Sequence, residues 1–220
     1  GGSMLADCYD ACYLPDDRIV FGSISGLQGV PCVGGINAVA NLHLIDPDGS
    51  NCRRLTFDQD HNWCPTVLNN GRVLYSRWEY SDSPHYFTRI LFHMNPDGTS
   101  QMVYYGNMHP GTLMIDAKPI PGTRKVVAIF SPGHGRKEHD GVITVVDPRC
   151  GPDEPGAAQS ITQAPRYRDP WPLSEDEFLA AKETSLVCVR GDGTERVLFA
   201  LPAADVRRGL QCHEPRPLVP

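Results

Sequence analysis

The chain has 220 residues, 26 acidic against 20 basic side chains for a net charge of −6, and 40% hydrophobic residues, enough for one sizeable core. No Lys/Arg run exceeds two, so the electrostatic footprint of a nucleic-acid or anionic-lipid binder is missing. No apolar stretch approaches the ~20 residues that span a bilayer, and the N-terminus lacks the charged-then-apolar layout of a secretory leader.

Gly (21) and Pro (20) make nearly a fifth of the chain, which marks a folded but turn-rich sequence. Residues 1–4, GGSM, read as a cloning remnant or truncated start. From there the sequence repeats itself. LPDDRIVFGSIS (14–25) recurs as LNNGRVLYSRWE (68–79), each a turn leading into an alternating β-branched and aromatic run. ANLHLIDPDGSNCRRLTF (40–57) recurs as RILFHMNPDGTSQMVYY (89–105), each an apolar run, a Pro-Asp-Gly turn and a second strand. KPIPGTRKVVAIFS (118–131) and GVITVVDPRCGPD (141–153) give a third, more divergent copy. In the fourth, DPWPLSEDEFLAAKE (169–183) precedes SLVCVRGDGTERVLFAL (185–201), where Gly191-Asp192-Gly193 replaces Pro-Asp-Gly. The stretch 174–183 carries helix-start signals, yet its place in the repeat predicts turn plus strand.

Four strands per ~50 residues is the repeat of a β-propeller blade. The predicted fold is therefore all-β, a β-propeller of four-stranded antiparallel blades. About four blades are expected, over 5–57, 58–106, 107–164 and 165–210, followed by a Pro-rich tail at 211–220 that reads as the start of a linker. Blade geometry puts the tight hairpin turns on one face. The longer loops 23–38, 77–87 and 131–140 and the crossovers 57–63 and 105–111 fall on the other.

The stretches 7–23, 26–35, 55–87 (LTFDQDHNWCPTVLNNGRVLYSRWEYSDSPHYF) and 94–101 (MNPDGTSQ) resemble the propeller domain of proteins similar to the hydrazine synthase alpha subunit. The NPDG turn is similar to that of the wider TolB-like propeller repeats. The resemblance implies a six-bladed ring within larger extracytoplasmic, often cytochrome-associated, bacterial proteins. Four blades would then be a fragment, and an open arc exposes strand edges through which it could self-associate. The chain has no C-x-x-C-H haem-attachment motif, so the resemblance carries the scaffold and not the reaction, and no cofactor is assigned. The expected function is a non-catalytic scaffold or interaction module, periplasmic or extracellular, whose partners are other domains or subunits. The alternative is part of a haem- or metal-dependent oxidoreductase whose centre lies largely outside this chain.

His61, His85, His109, His134 and His139 all fall on the loop-rich face. Asp60, His61, Glu79 and His85 are the candidate metal ligands, since neutral imidazole beside carboxylate suits a transition metal. Trp63, Arg77, Trp78 and Tyr80, with His109, His134 and His139, form the candidate ligand or partner face, aromatic and Arg residues being typical interface anchors. The competing reading of all these residues is loop hydrogen bonding and inter-blade packing. Asp58 and Asp60 have D-x-D spacing but lack the Gly and distal Glu of a calcium loop. Serine-hydrolase elbows, Walker loops and dinucleotide fingerprints are missing. Eight cysteines scattered over the chain fix no connectivity, but an oxidising compartment would permit at least one disulfide, involving Cys8, Cys12 or Cys32.

Overall fold

Three turns share one geometry. At Asp46–Ser50, Asn95–Thr99 and Arg190–Thr194 the first residue's N–H donates to the fifth residue's carbonyl at 3.0, 2.9 and 2.8 Å. Gly49, Gly98 and Gly193, at φ of 86°, 90° and 83°, supply the left-handed step. Asp48, Asp97 and Asp192 each accept a backbone N–H two residues on, at 2.9 Å. Gly191-Asp192-Gly193 thus does the work of Pro-Asp-Gly, as its place in the repeat predicts.

The computed structural model describes residues 6–31, 35, 37–79, 89–109, 111–132 and 139–218. It is nearly all β. Strands β1 (Cys8–Tyr13), β2 (Ile19–Ser23), β3 (Asn41–Ile45) and β4 (Arg53–Arg54) pair in sequence order as an antiparallel meander. A second meander comprises β5 (Asn62–Val67), β6 (Val73–Trp78), β7 (Arg89–Met94) and β8 (Met102–Tyr105). The third is β9 (Leu113–Pro119), β10 (Val126–Ser131), β11 (Val142–Val146) and β12 (Ala158–Ser160). The fourth is β13 (Tyr167–Pro172), β14 (Glu177–Lys182), β15 (Ser185–Arg190) and β16 (Glu195–Ala200), followed by a short helix α1 (Ala203–Arg207). The segment 174–183 is turn plus strand: the Ser174 hydroxyl accepts from the N–H groups of Asp176 and Glu177, and β14 follows.

Strand alternation gives each meander two apolar faces, and the core lies between neighbouring meanders. Val20, Leu42 and Leu44 of the first meet Val73, Tyr75 and Ile90 of the second. Leu74, Leu91 and Tyr105 of the second meet Val126, Ala128 and Val146 of the third. Val127, Ile129 and Ile143 of the third meet Phe178, Val187 and Val189 of the fourth. Each fully buried side chain of this size contributes roughly 1.5–3 kcal/mol. The first strands pack as an inner row, β1 on β5, β5 on β9 and β9 on β13. Among the described residues no packing of that extent joins the fourth meander to the first.

The cysteines correct the redox expectation. Cys8, Cys12, Cys52, Cys64, Cys150, Cys188 and Cys212 are all free thiols, and Cys32 lies outside the described residues. Cys8 is exposed near the Ser23 hydroxyl, whereas Cys12, on the same strand, packs against the apolar layer between the first two meanders, so the two thiols serve separate environments.

Candidate functional site

The crossover into β5 and the end of β6 form a tight aromatic and charged cluster. The His61 ring stacks on Trp63 (centroids 4.6 Å apart, 18° between planes) and on Trp78 (5.9 Å, 12°). The Arg89 guanidinium lies 4.2 Å from the Trp78 ring centroid and 5.7 Å from that of Trp63. His61 Nδ1 accepts the Ala40 N–H at 3.0 Å, which places the ring proton on Nε2 and commits Nδ1 to the backbone. Arg77 pairs with Asp58 at 2.5 Å and Glu79 at 2.9 Å, and its guanidinium lies over Phe92. Asp60 is buried at 3% exposure. Beneath them Asn62, Thr56 and Asn41 form a buried amide and hydroxyl network that ties the crossover to β3.

The structure therefore brings together His61, Trp63, Trp78, Arg77 and Glu79, with Glu79 turned to Arg77. His85, Tyr80 and His134 lie outside the described residues. His109 is elsewhere on the face, stacked on Tyr105 with Nε2 bonded to the Asp153 carbonyl at 3.1 Å. His139 lies close enough to Asp116 to act on its charge. Among the described residues no three His, Cys, Asp or Glu side chains gather as metal ligands.

A second site was not singled out in the sequence. Each inner strand carries a β-bulge, between Tyr9 and Cys12, Trp63 and Thr66, Ile115 and Lys118, and Arg168 and Trp171. Each bulge holds a non-glycine residue in the left-handed region: Asp10 (φ 54°), Cys64 (51°), Asp116 (54°) and Asp169 (51°). Bulges of this kind re-aim side chains and recur beside functional sites. Pro65 and Pro170 follow two of them on the inner edge, where a missing N–H removes no ladder bond. Residues 213–216 repeat the geometry, with Glu214 at φ 43° and Pro215 after it.

These positions line one cavity of about 430 Å³, bounded by 10–13, 64–66, Asp116, Lys118, 169–171 and 214–216. It lies along the inner row at the bulged middles of the inner strands. Burial, then the negative charges of Asp116 and Asp10, push the Cys64 thiol well up. Burial also raises Asp116; Lys118 opposes this and Asp169 adds to it. Burial followed by the Asp10 charge pushes Tyr9 up to about 12. The sequence signal for this site is a repeat of Asp-Ala, Cys-Pro, Asp-Ala, Asp-Pro and Glu-Pro at positions 10, 64, 116, 169 and 214.

No protein-family model matches the chain, and no curated protein sequence does. Solved structures match it closely in shape. The Kuenenia stuttgartiensis hydrazine synthase superposes with a TM-score of 0.70 at 18% identity, covering 84% of this chain and 28% of that one. TolB from Acinetobacter baumannii gives 0.57 at 11% identity, over 86% of this chain and 42% of its own. A putative TolB from Agrobacterium tumefaciens gives 0.64 at 14%, over 88% and 66%. The chain thus spans under a third of the hydrazine synthase chain and under half of the first TolB. At these identities the likeness speaks for architecture, and the architecture is that of the β-propeller shared by hydrazine synthase and the TolB-like proteins.

Proposed function

We propose that the chain is a non-catalytic propeller scaffold or interaction module, an arc of a six-bladed ring within a larger extracytoplasmic, redox-associated bacterial protein. The observation that carries this is the state of the fourth meander. All six residues of β16 are exposed, with Val197, Leu198 and Phe199 at 58%, 48% and 48%. The outer strands β4, β8 and β12 are shorter, two to four residues, which is how edges are ordinarily blunted. A six-residue edge strand with three consecutive exposed apolar side chains, Val197, Leu198 and Phe199, and no meander packed beyond it fits a surface made to be covered by another unit.

Sedimentation and light scattering test this. The isolated chain is expected to self-associate, and Val197→Lys with Phe199→Glu to return it to a monomer of unchanged circular dichroism. A parent chain that is sharply monomeric and unfolds in one cooperative calorimetric transition would favour a ring closed within these residues.

The likeness to hydrazine synthase supports a second reading, in which the His-rich face contributes to a haem or metal centre completed by other domains, with Asp60, His61, Glu79 and His85 nearest it. C-x-x-C-H motifs elsewhere in the parent reading frame would favour it. Metal titration in which His61→Ala matches the parent would remove His61 from such a centre.

A further inference from the structure

We propose that Ser25 is an activated nucleophile, primed by His43 to take an acyl group from an activated ester. His43 lies on β3, where Leu42 and Leu44 pack toward the second meander. Strand alternation turns its ring to the other face, onto Phe21 of β2 with centroids 5.6 Å apart. A carbonyl oxygen only accepts, so the 3.1 Å contact between His43 Nδ1 and the Asn41 carbonyl places the ring proton on Nδ1. Nε2 is then the acceptor for the Ser25 hydroxyl, 3.2 Å away. A hydroxyl bonded to a base, with that base oriented by a third group, is the arrangement that activates a serine. The ring is 7% exposed. Burial lowers its pKa, the Asn41 carbonyl opposing this and the Arg54 charge adding to it, so His43 is a neutral base at neutral pH.

Ser25 itself is exposed and open to a substrate. A turn fixes it: its N–H donates to Ser23 Oγ at 3.1 Å, and the Leu27 N–H donates to the Ile24 carbonyl at 3.0 Å. The N–H of Gly26, next in the chain, donates to no backbone carbonyl among the described residues. A Cβ at position 26 would stand 3.0 Å from Arg54 Nη1, so the guanidinium lies beside the same turn. Arg54 gives Nε–H to the Thr56 carbonyl and forms no ion pair with a carboxylate among the described residues. The Gly26 N–H and the guanidinium are thus the donors that meet an oxyanion formed at Ser25. Phe57, 74% exposed beneath that guanidinium, offers apolar surface to an aryl ester. In the transfer, Ser25 Oγ bonds to the acyl carbon as its proton passes to His43 Nε2. The ester C–O bond breaks, and the same proton leaves with the departing alcohol. The pair joins residues 18 positions apart through the β2–β3 pairing and needs no G-x-S-x-G elbow. A single transfer to Ser25 requires no turnover and stands apart from the scaffold reading.

The test is labelling of the 220-residue chain with diisopropyl fluorophosphate, which phosphorylates base-activated serines with loss of fluoride, and location of the adduct by tandem mass spectrometry. An adduct is expected on Ser25 and not on Ser50, an exposed turn serine, and none should form on Ser25 after unfolding in urea. His43→Gln should slow the reaction at least about a hundredfold, the usual contribution of a positioned base. The parent's rate should be level above pH 6.5 and fall below it as His43 takes up a proton. Circular dichroism checks that His43→Gln keeps its sheets; should it lose them, the parent's pH profile and the Ser50 comparison decide alone. No adduct on Ser25, equal labelling of Ser50, a rate indifferent to pH, or a folded His43→Gln reacting as fast as the parent would overturn the proposal.

Discussion

The backbone N–H of Glu214 donates to Asp169 Oδ2 at 2.9 Å, and the same contact joins Cys64 to Asp10 one repeat apart, at 3.2 Å. In both pairs the carboxylate belongs to a left-handed bulge residue and the donor to the left-handed residue of the next inner segment. The chain after α1 is thereby held in the inner row as if it were another first strand. Cys212 N–H adds a bond to the Glu183 carbonyl at 2.9 Å.

Asp169→Ala should therefore loosen residues 212–216 before it affects the sheets. A hydrogen bond to a charged acceptor contributes about 1.5–3 kcal/mol. Amide exchange at Cys212 and Glu214 is expected to accelerate while β14 and β15 keep their protection. Unchanged exchange at Glu214 would show that the contact does not hold the segment.

Arg168 is the larger anchor of the same region. Only 6% exposed, it pairs with Asp140 and donates to Gln211 Oε1 at 2.7 Å, with His213 Nε2 at 3.1 Å. Arg168→Met leaves Asp140 uncompensated and should cost about 3–5 kcal/mol of unfolding free energy in urea. Adding Asp140→Leu should recover most of that loss, since the penalty lies in the stranded charge and not in the absent pair. A double variant as unstable as the single one would contradict this.

The strands were legible in the sequence because their signals are local. Asp48, Asp97 and Asp192 fix their turns through contacts two residues away, and the near-continuous burial of 73–78 and 126–131 follows from packing on both faces between neighbouring meanders. The aromatic crossover was half legible: Trp63, Arg77 and Trp78 were singled out, but that His61 would be held by Ala40 N–H and by two indole rings depends on a contact 21 residues away. The inner-strand cavity was missed because a one-residue bulge breaks strand alternation without altering composition. Asp10 and Asp116 look like ordinary strand residues until the register shift places them on one wall.

The thiols should divide by burial. Cys8, Cys52 and Cys150 are exposed and react first with a chromogenic disulfide reagent at pH 8. Burial pushes Cys12 up to about 11, and Cys64 is raised further by burial and by Asp116 and Asp10. Both are expected to be modified only on unfolding. Cys12 or Cys64 reacting in the native protein as fast as Cys150 would show that the inner row opens.

His93 sets a pH dependence of stability. Its Nδ1 accepts the Arg72 Nε–H at 3.0 Å, and its ring meets Tyr104 edge-on at 5.5 Å. Burial first, then the Arg72 charge, lower its pKa from the ordinary 6.5 to about 4. The unfolded chain therefore takes up a proton on this residue below about pH 6.5, while the folded chain resists until about pH 4. Stability is lost as pH falls through that window and is unaffected by His93 above it. The ring is only half-buried, so with solvent screening the loss is on the order of 1 kcal/mol. His93→Gln keeps an acceptor for Arg72 but cannot titrate. Urea unfolding of both proteins at pH 7.5 and pH 4.5 isolates the effect, because the carboxylates titrate alike in each: the parent is expected to lose more stability than His93→Gln between the two conditions, and equal losses would mean that His93 does not carry the dependence.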